Sequence, residues 1–191
     1  MIGKERRVRA VHEAGHAVIA RKLGLAVNHV DARADYPNVV HPSAGFDAAN
    51  LPDVAMQIAE YEKDALVALA GFEANRRQFP DRQVPTLDII TEPMADYQNA
   101  RNAIFRITCL MSGQPVPQGA IAMRPDQTLQ NSMNEVYFRL LHQAATLVER
   151  HWSAIERVAK HLERHSKLSN QGVLDELISR GERYIQDNGN S

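Results

Sequence analysis

Apolar residues along the chain recur mostly at helical spacing. Val8, Val11, Gly15, Val18, Ile19 and Leu23 define a helix from about Lys4 to Leu23, with Gly24 as its stop. Val54, Ile58, Tyr61, Ala65, Leu69 and Phe72 line one face of a second helix between Pro52 and Phe79, which Asn50 or Asp53 can cap and Gly71 can break. A third runs from about Met94 to Met111 and a long fourth from Gln127 to His165. Ser169 then caps a final helix through Val173, Leu174, Leu177 and Ile178.

The stretch from Ala26 to Gly45 differs. Val27, Val30, Val39 and Val40 flank Tyr36-Pro37-Asn38, which predicts two short strands or an extended segment and a turn. Two Pro-rich stretches, Pro80 to Pro93 and Gly113 to Gly119, read as loops, and the tail from Asp187 reads as disordered. The expectation is a mainly α domain over 1–186, with one small sheet or hairpin, followed by a tail over 187–191.

Composition narrows the function classes. With 22 Lys and Arg against 23 Asp and Glu, the net charge of -1 provides no summed positive field for non-specific nucleic-acid binding. The single cysteine, Cys109, excludes an internal disulfide framework and a Cys-rich zinc module. No apolar run approaches the roughly 20 residues of a membrane span, and the basic N-terminus has no apolar signal core behind it. These features predict a cytoplasmic protein that binds neither nucleic acid nor membrane.

The chemistry is concentrated in His12-Glu13-Ala14-Gly15-His16. Two histidines four apart on a helix sit one turn apart and about 40° around the axis, so both imidazoles can reach one metal ion. Glu13 lies about 100° from His12, outside the ligand set but in reach of a water that the ion polarises. That is the arrangement in which a glutamate serves as general base beside zinc. With 8 His in 191 residues, independent placement gives roughly 0.02 such matches per chain. A second pair, His161 and His165, is also four apart, but Glu163 is two places from His161 and its surroundings are strongly charged, which predicts a solvated face.

A hydrolytic zinc site needs a third protein ligand and one open position. Glu60, Glu62, Glu73, Asp88, Glu92 and Asp96 are the downstream carboxylates, and residue chemistry alone does not choose among them.

Val11-His12-Glu13-Ala14-Gly15-His16-Ala17-Val18 resembles the peptidase signature of the FtsH family of ATP-dependent zinc metalloproteases. Leu69-Ala70-Gly71-Phe72-Glu73-Ala74 is similar to that family's Leu-Ala-Gly-Arg-Ala-Ala helix, with Phe72 in place of Arg. Asp96-Tyr97-Gln98-Asn99-Ala100-Arg101 is similar to its Asp-x-x-x-Ala helix, and the run from Ala144 to Leu177 to its closing helices.

The resemblance implies a helical zincin-like peptidase domain holding one zinc through His12, His16 and Asp96, with Glu13 as general base. It also implies that substrate backbone pairs as an added strand along Val27 to Ala34, starting at Val27, Asn28, His29 and Val30. The family's ATPase module and membrane anchors have no counterpart in these residues, and no Gly-x-x-x-x-Gly-Lys-Ser/Thr loop is present. The expectation is a stand-alone endopeptidase for peptides or unfolded chains, possible as a homo-oligomer or with a separate ATPase or adaptor. Two alternatives remain: a metal-bound interaction domain with little turnover, which has no need of Glu13, and a different small regulatory zincin with another third ligand.

Overall fold

The computed structural model describes residues 2–33, 38–40, 48–81, 95–116 and 125–188. Six helices dominate it: α1 (Ile2–Lys22), α2 (Val54–Gln78), α3 (Ala95–Met111), α4 (Gln127–Arg150), α5 (Trp152–His165) and α6 (Gln171–Asn188). A three-stranded antiparallel sheet, ordered β2-β1-β3, is built from β1 (His29–Asp31), β2 (Asn38–Val40) and β3 (Lys167–Leu168). The fold is mainly α with one small sheet. Among the described residues, no helix is long and apolar enough to cross a membrane.

α1 is the central helix, buried from Glu13 through Ala20 on all sides. Its small residues permit this: a Cβ on Gly15 would lie 2.8 Å from the Ala70 carbonyl oxygen, so α2 approaches α1 backbone to side. The helix ends in a Schellman motif at Gly24 (φ 82°), in which the Leu25 N–H donates to Ala20 O and the Gly24 N–H to Arg21 O. α2 starts at Asp53, whose carboxylate accepts the N–H groups of Ala55 and Met56.

Two apolar clusters make up the core. One joins α1 to α5, α6 and the sheet through Val18, Ile19, Val30, Ile155, Leu162 and Leu174. The other joins α2 to α3 and α4 through Leu69, Ile104, Ile107, Met133 and Leu140. α2 serves both, placing Val67, Ala70 and Ala74 in the first and Tyr61, Ala65 and Leu69 in the second.

Several expectations need correction. The single helix expected over Gln127–His165 is two, because the chain turns at His151 (φ -108°, ψ 19°) so that α5 can enter the first cluster while most of α4 packs in the second. Gly71 does not interrupt α2. The cap of α6 is Asn170 rather than Ser169: its side-chain oxygen accepts the N–H groups of Gly172 and Val173. α6 runs to Asn188, so Asp187 belongs to a helix and only 189–191 of the expected tail lie outside the described residues. The expected hairpin gains a third strand, β3, which follows the left-handed turn at Ser166 (φ 61°). Most of the first Pro-rich stretch (82–93) and residues 117–119 of the second lie outside the described residues.

Candidate metal centre

His12 and His16 occupy successive turns of α1, and their Nε2 atoms are 3.0 Å apart. Asp96, in the first turn of α3, places Oδ2 3.0 Å from His12 Nε2 and 3.3 Å from His16 Nε2. Donor atoms held at zinc-bond length in a tetrahedron are about 3.3 Å from one another. The three therefore already stand at nearly the separations one small cation requires. Two imidazoles and one carboxylate also match the donor chemistry of a three-ligand zinc site with an open position.

The surroundings fix the ring orientations. His16 Nδ1 lies 2.7 Å from the Val67 carbonyl oxygen and must donate to it, which leaves Nε2 facing His12 and Asp96 as the atom that can bind a metal once it gives up its proton. His12 Nδ1 is 3.4 Å from the Asn75 side-chain amide. Gly71 passes directly behind both rings: a Cβ there would meet His16 Nε2 at 2.5 Å and His12 Cε1 at 2.8 Å. Phe72 stands edge-on to His12, with ring centroids 5.0 Å apart, and stacks on Tyr97 at 4.0 Å.

The electrostatics favour positive charge at the shared point. Burial and the neighbouring His16 hold His12 below the ordinary histidine range. Burial also opposes charge on His16, but the Asp96 carboxylate outweighs it and brings His16 up to about 9. Asp96 is partly buried, which would raise it, yet the two imidazoles hold its carboxyl well below the usual carboxylate range.

Glu13 is buried, and its Oε2 has no hydrogen-bond partner among the described residues. Burial pushes its carboxyl up to about 7, with the negative charges of Asp96 and Asp31 adding to the rise and His16 opposing it. A buried carboxyl with an unpaired oxygen, beside but outside the converging donors, is suited to taking and returning a proton near neutral pH.

The other candidate carboxylates are occupied or outside view. Glu60 pairs with Lys63, Glu62 with Arg139 and Glu73 with Arg76, whereas Asp88 and Glu92 lie outside the described residues. His12, His16 and Asp96 form a cluster within 4.8 Å.

The strand residues fall differently from expectation. β1 is the middle strand, with Val30 paired to Val39 on one side and Leu168 on the other. Val27 is buried and its N–H donates to Gln171 Oε1, while Asn28 is exposed and His29 pairs with Val40. Val30 therefore has no open edge among the described residues.

Residue chemistry alone does not single out Gly71, Val67, Asn75 or Tyr97 as part of the site. The contacts of Gly71 and Phe72 with the rings are purely spatial. No protein-family model matches the chain, and no curated protein matches it.

Proposed function

We propose that this chain is a zinc-dependent endopeptidase acting on peptides and on unfolded or flexible protein segments. The observation that carries the reading is the convergence of His12 Nε2, His16 Nε2 and Asp96 Oδ2 beside a buried Glu13 with an unpartnered oxygen. Bound there, zinc supplies Lewis acidity, polarising a peptide carbonyl and making water a better nucleophile near neutral pH.

The chain's own residues do the rest. His12 and His16 serve as neutral donors through Nε2, and the Val67 carbonyl keeps the His16 ring in that tautomer. Asp96 contributes one negative charge, which would offset half of the cation's. Glu13 accepts the proton of the attacking water and delivers it to the departing amine. Substrate is a segment already without stable structure, aligned by backbone pairing along an outer sheet edge. One zinc per chain, a cytoplasmic setting, and either self-association or a separate ATPase that presents substrate complete the proposal.

The test is Glu13→Gln. This variant should keep zinc content and helicity while cleavage of unfolded casein falls by about 10²–10⁴-fold. If wild-type protein carrying one zinc per chain cleaves neither casein nor a flexible peptide library, or Glu13→Gln cleaves equally well, the proposal fails.

A further inference from the structure

On the far side of the first apolar cluster, α5 and α6 enclose a cleft of about 550 Å³. Arg157, Lys160, Arg164, His161 and His165 line it from α5, and Leu177 and Gly181 from α6. Positions 157, 160, 161 and 164 project from one face of a helix, and Arg157 to Arg164 spans about 10 Å along its axis. A Cβ on Gly181 would lie 2.6 Å from Ala154 Cα, so the helices touch here and the side chains beyond them form the walls.

The charge is unbalanced. Elsewhere in the chain many cations are matched: Arg7 to Glu163, Arg21 to Asp175, Lys22 to Glu182, Arg33 to Asp31 and Arg77 to Glu149. Arg157, Lys160 and Arg164 have no ion pair or hydrogen bond among the described residues, and the Arg157 Nε is buried without an acceptor. Glu156 is the one carboxylate in the lining and pairs with none of them. Cations in the last turn of a helix are accounted for by its dipole, which covers Arg164 and His165. It does not reach Arg157 or Lys160. The paired imidazoles, with centroids 4.6 Å apart, add further donors.

We propose that the α5–α6 cleft is a binding site for an oligophosphate group, free or carried by a nucleotide. The cleft volume falls within the range of small-ligand sites. Three unpaired cations spaced along about 10 Å suit several linked anionic groups better than one, and guanidinium forks match phosphate oxygens. The footprint is one helix face on a chain of net charge -1, too small for the extended phosphate track that nucleic acid needs. None of these residues belongs to the metal centre, so the inference does not depend on the peptidase reading.

The experiment is calorimetric titration of the full chain, as purified, with sodium tripolyphosphate and separately with a nucleoside triphosphate. Metal content is measured before and after, so that chelation is not mistaken for binding. One saturable site per chain is expected, weakened at least ten-fold in Arg157→Gln/Arg164→Gln and tightened in Glu156→Gln. Raising salt should weaken it, since Lys160 and Arg164 are exposed and Arg157 is only half-buried. Tighter binding of the nucleotide identifies a nucleotide ligand, and equal or weaker binding identifies a free oligophosphate. Glu156→Gln adds no bulk and shifts affinity in the opposite direction, so the test survives if the arginine variant folds poorly. Absence of saturation by either probe at about 1 mM overturns the proposal, as does affinity unchanged in both variants.

Discussion

Replacing Gly71 with alanine tests the site geometry without touching a ligand. The added methyl would sit 2.5 Å from His16 Nε2, 2.7 Å from His16 Cε1 and 2.8 Å from His12 Cε1. Ordinary contacts between such atoms are about 3.5–4.0 Å, so the rings must retreat by roughly 1 Å. That spreads donors now 3.0–3.3 Å apart beyond what one small cation can bridge. Zinc affinity should fall by about 10–100-fold or more, the scale seen when groups that orient ligands are altered. The helix itself gains about 1 kcal/mol from alanine over glycine, and overpacking costs about 1–3 kcal/mol, so the net loss is about 0–2 kcal/mol. The expected result is a variant with unchanged far-ultraviolet circular dichroism, a melting temperature within a few degrees of wild type, and zinc lost to a competing chelator. Gly15→Ala is the contrasting control, because its methyl meets the Ala70 carbonyl and Ala74 Cβ, both at 2.8 Å, rather than the rings. It should lower the melting temperature more and zinc affinity less. Wild-type zinc affinity in Gly71→Ala would refute the geometry.

Asp96→Ala should lose most of its zinc whereas Asp88→Ala and Glu92→Ala keep it, as read by metal analysis of purified protein; normal zinc in Asp96→Ala overturns the ligand assignment. Because Asp96 brings His16 up to about 9, zinc binding at pH 7.5 must displace about one proton, which titration in buffers of different ionisation enthalpy will detect. Acidification should weaken zinc binding further as protons compete for both imidazoles. Asp64 is raised to about 6, chiefly by burial, so folding stability should decline as pH rises from about 4 to about 6. Asp64→Asn should reduce that decline, leaving the part due to Glu13, and add up to about 3 kcal/mol of stability at pH 7, read as a higher melting temperature; an unchanged pH profile would show the burial argument wrong.

Helices with a local start or stop signal were the most legible in the sequence. α1 and α2 lie within a few residues of their expected bounds because Gly24 and Asp53 are local stop and start signals. The turn at His151 has no such signal: no glycine or proline marks it, and the apolar period continues through Val148, Ile155 and Leu162. What changes is the neighbour, since Leu140 and Ala144 face one cluster and Ile155 and Leu162 the other. β3 is two residues long and exists through its pairing with β1. Within the candidate site, His12, Glu13 and His16 stand out because one helix carries all three. Asp96 could not be chosen by residue chemistry, since its meeting with the imidazoles depends on how α3 lies across α2. Gly71 was hidden for the same reason.

α2 touches both apolar clusters, and the ring nitrogens meet Asp96 where that shared helix lies between α1 and α3. A cation held there acts as a removable clasp between segments 84 residues apart in the chain. Without it, the α3–α4 half is joined to the rest mainly through side chains on α2, and the two halves can open at different free energies. With it, opening either half means giving up the cation. At a free metal concentration 100 times the dissociation constant, that adds about 2.7 kcal/mol to the cost of unfolding. The survival of the whole chain against heat and proteolysis then follows metal supply, and hydrogen exchange in α3 should slow as zinc is added.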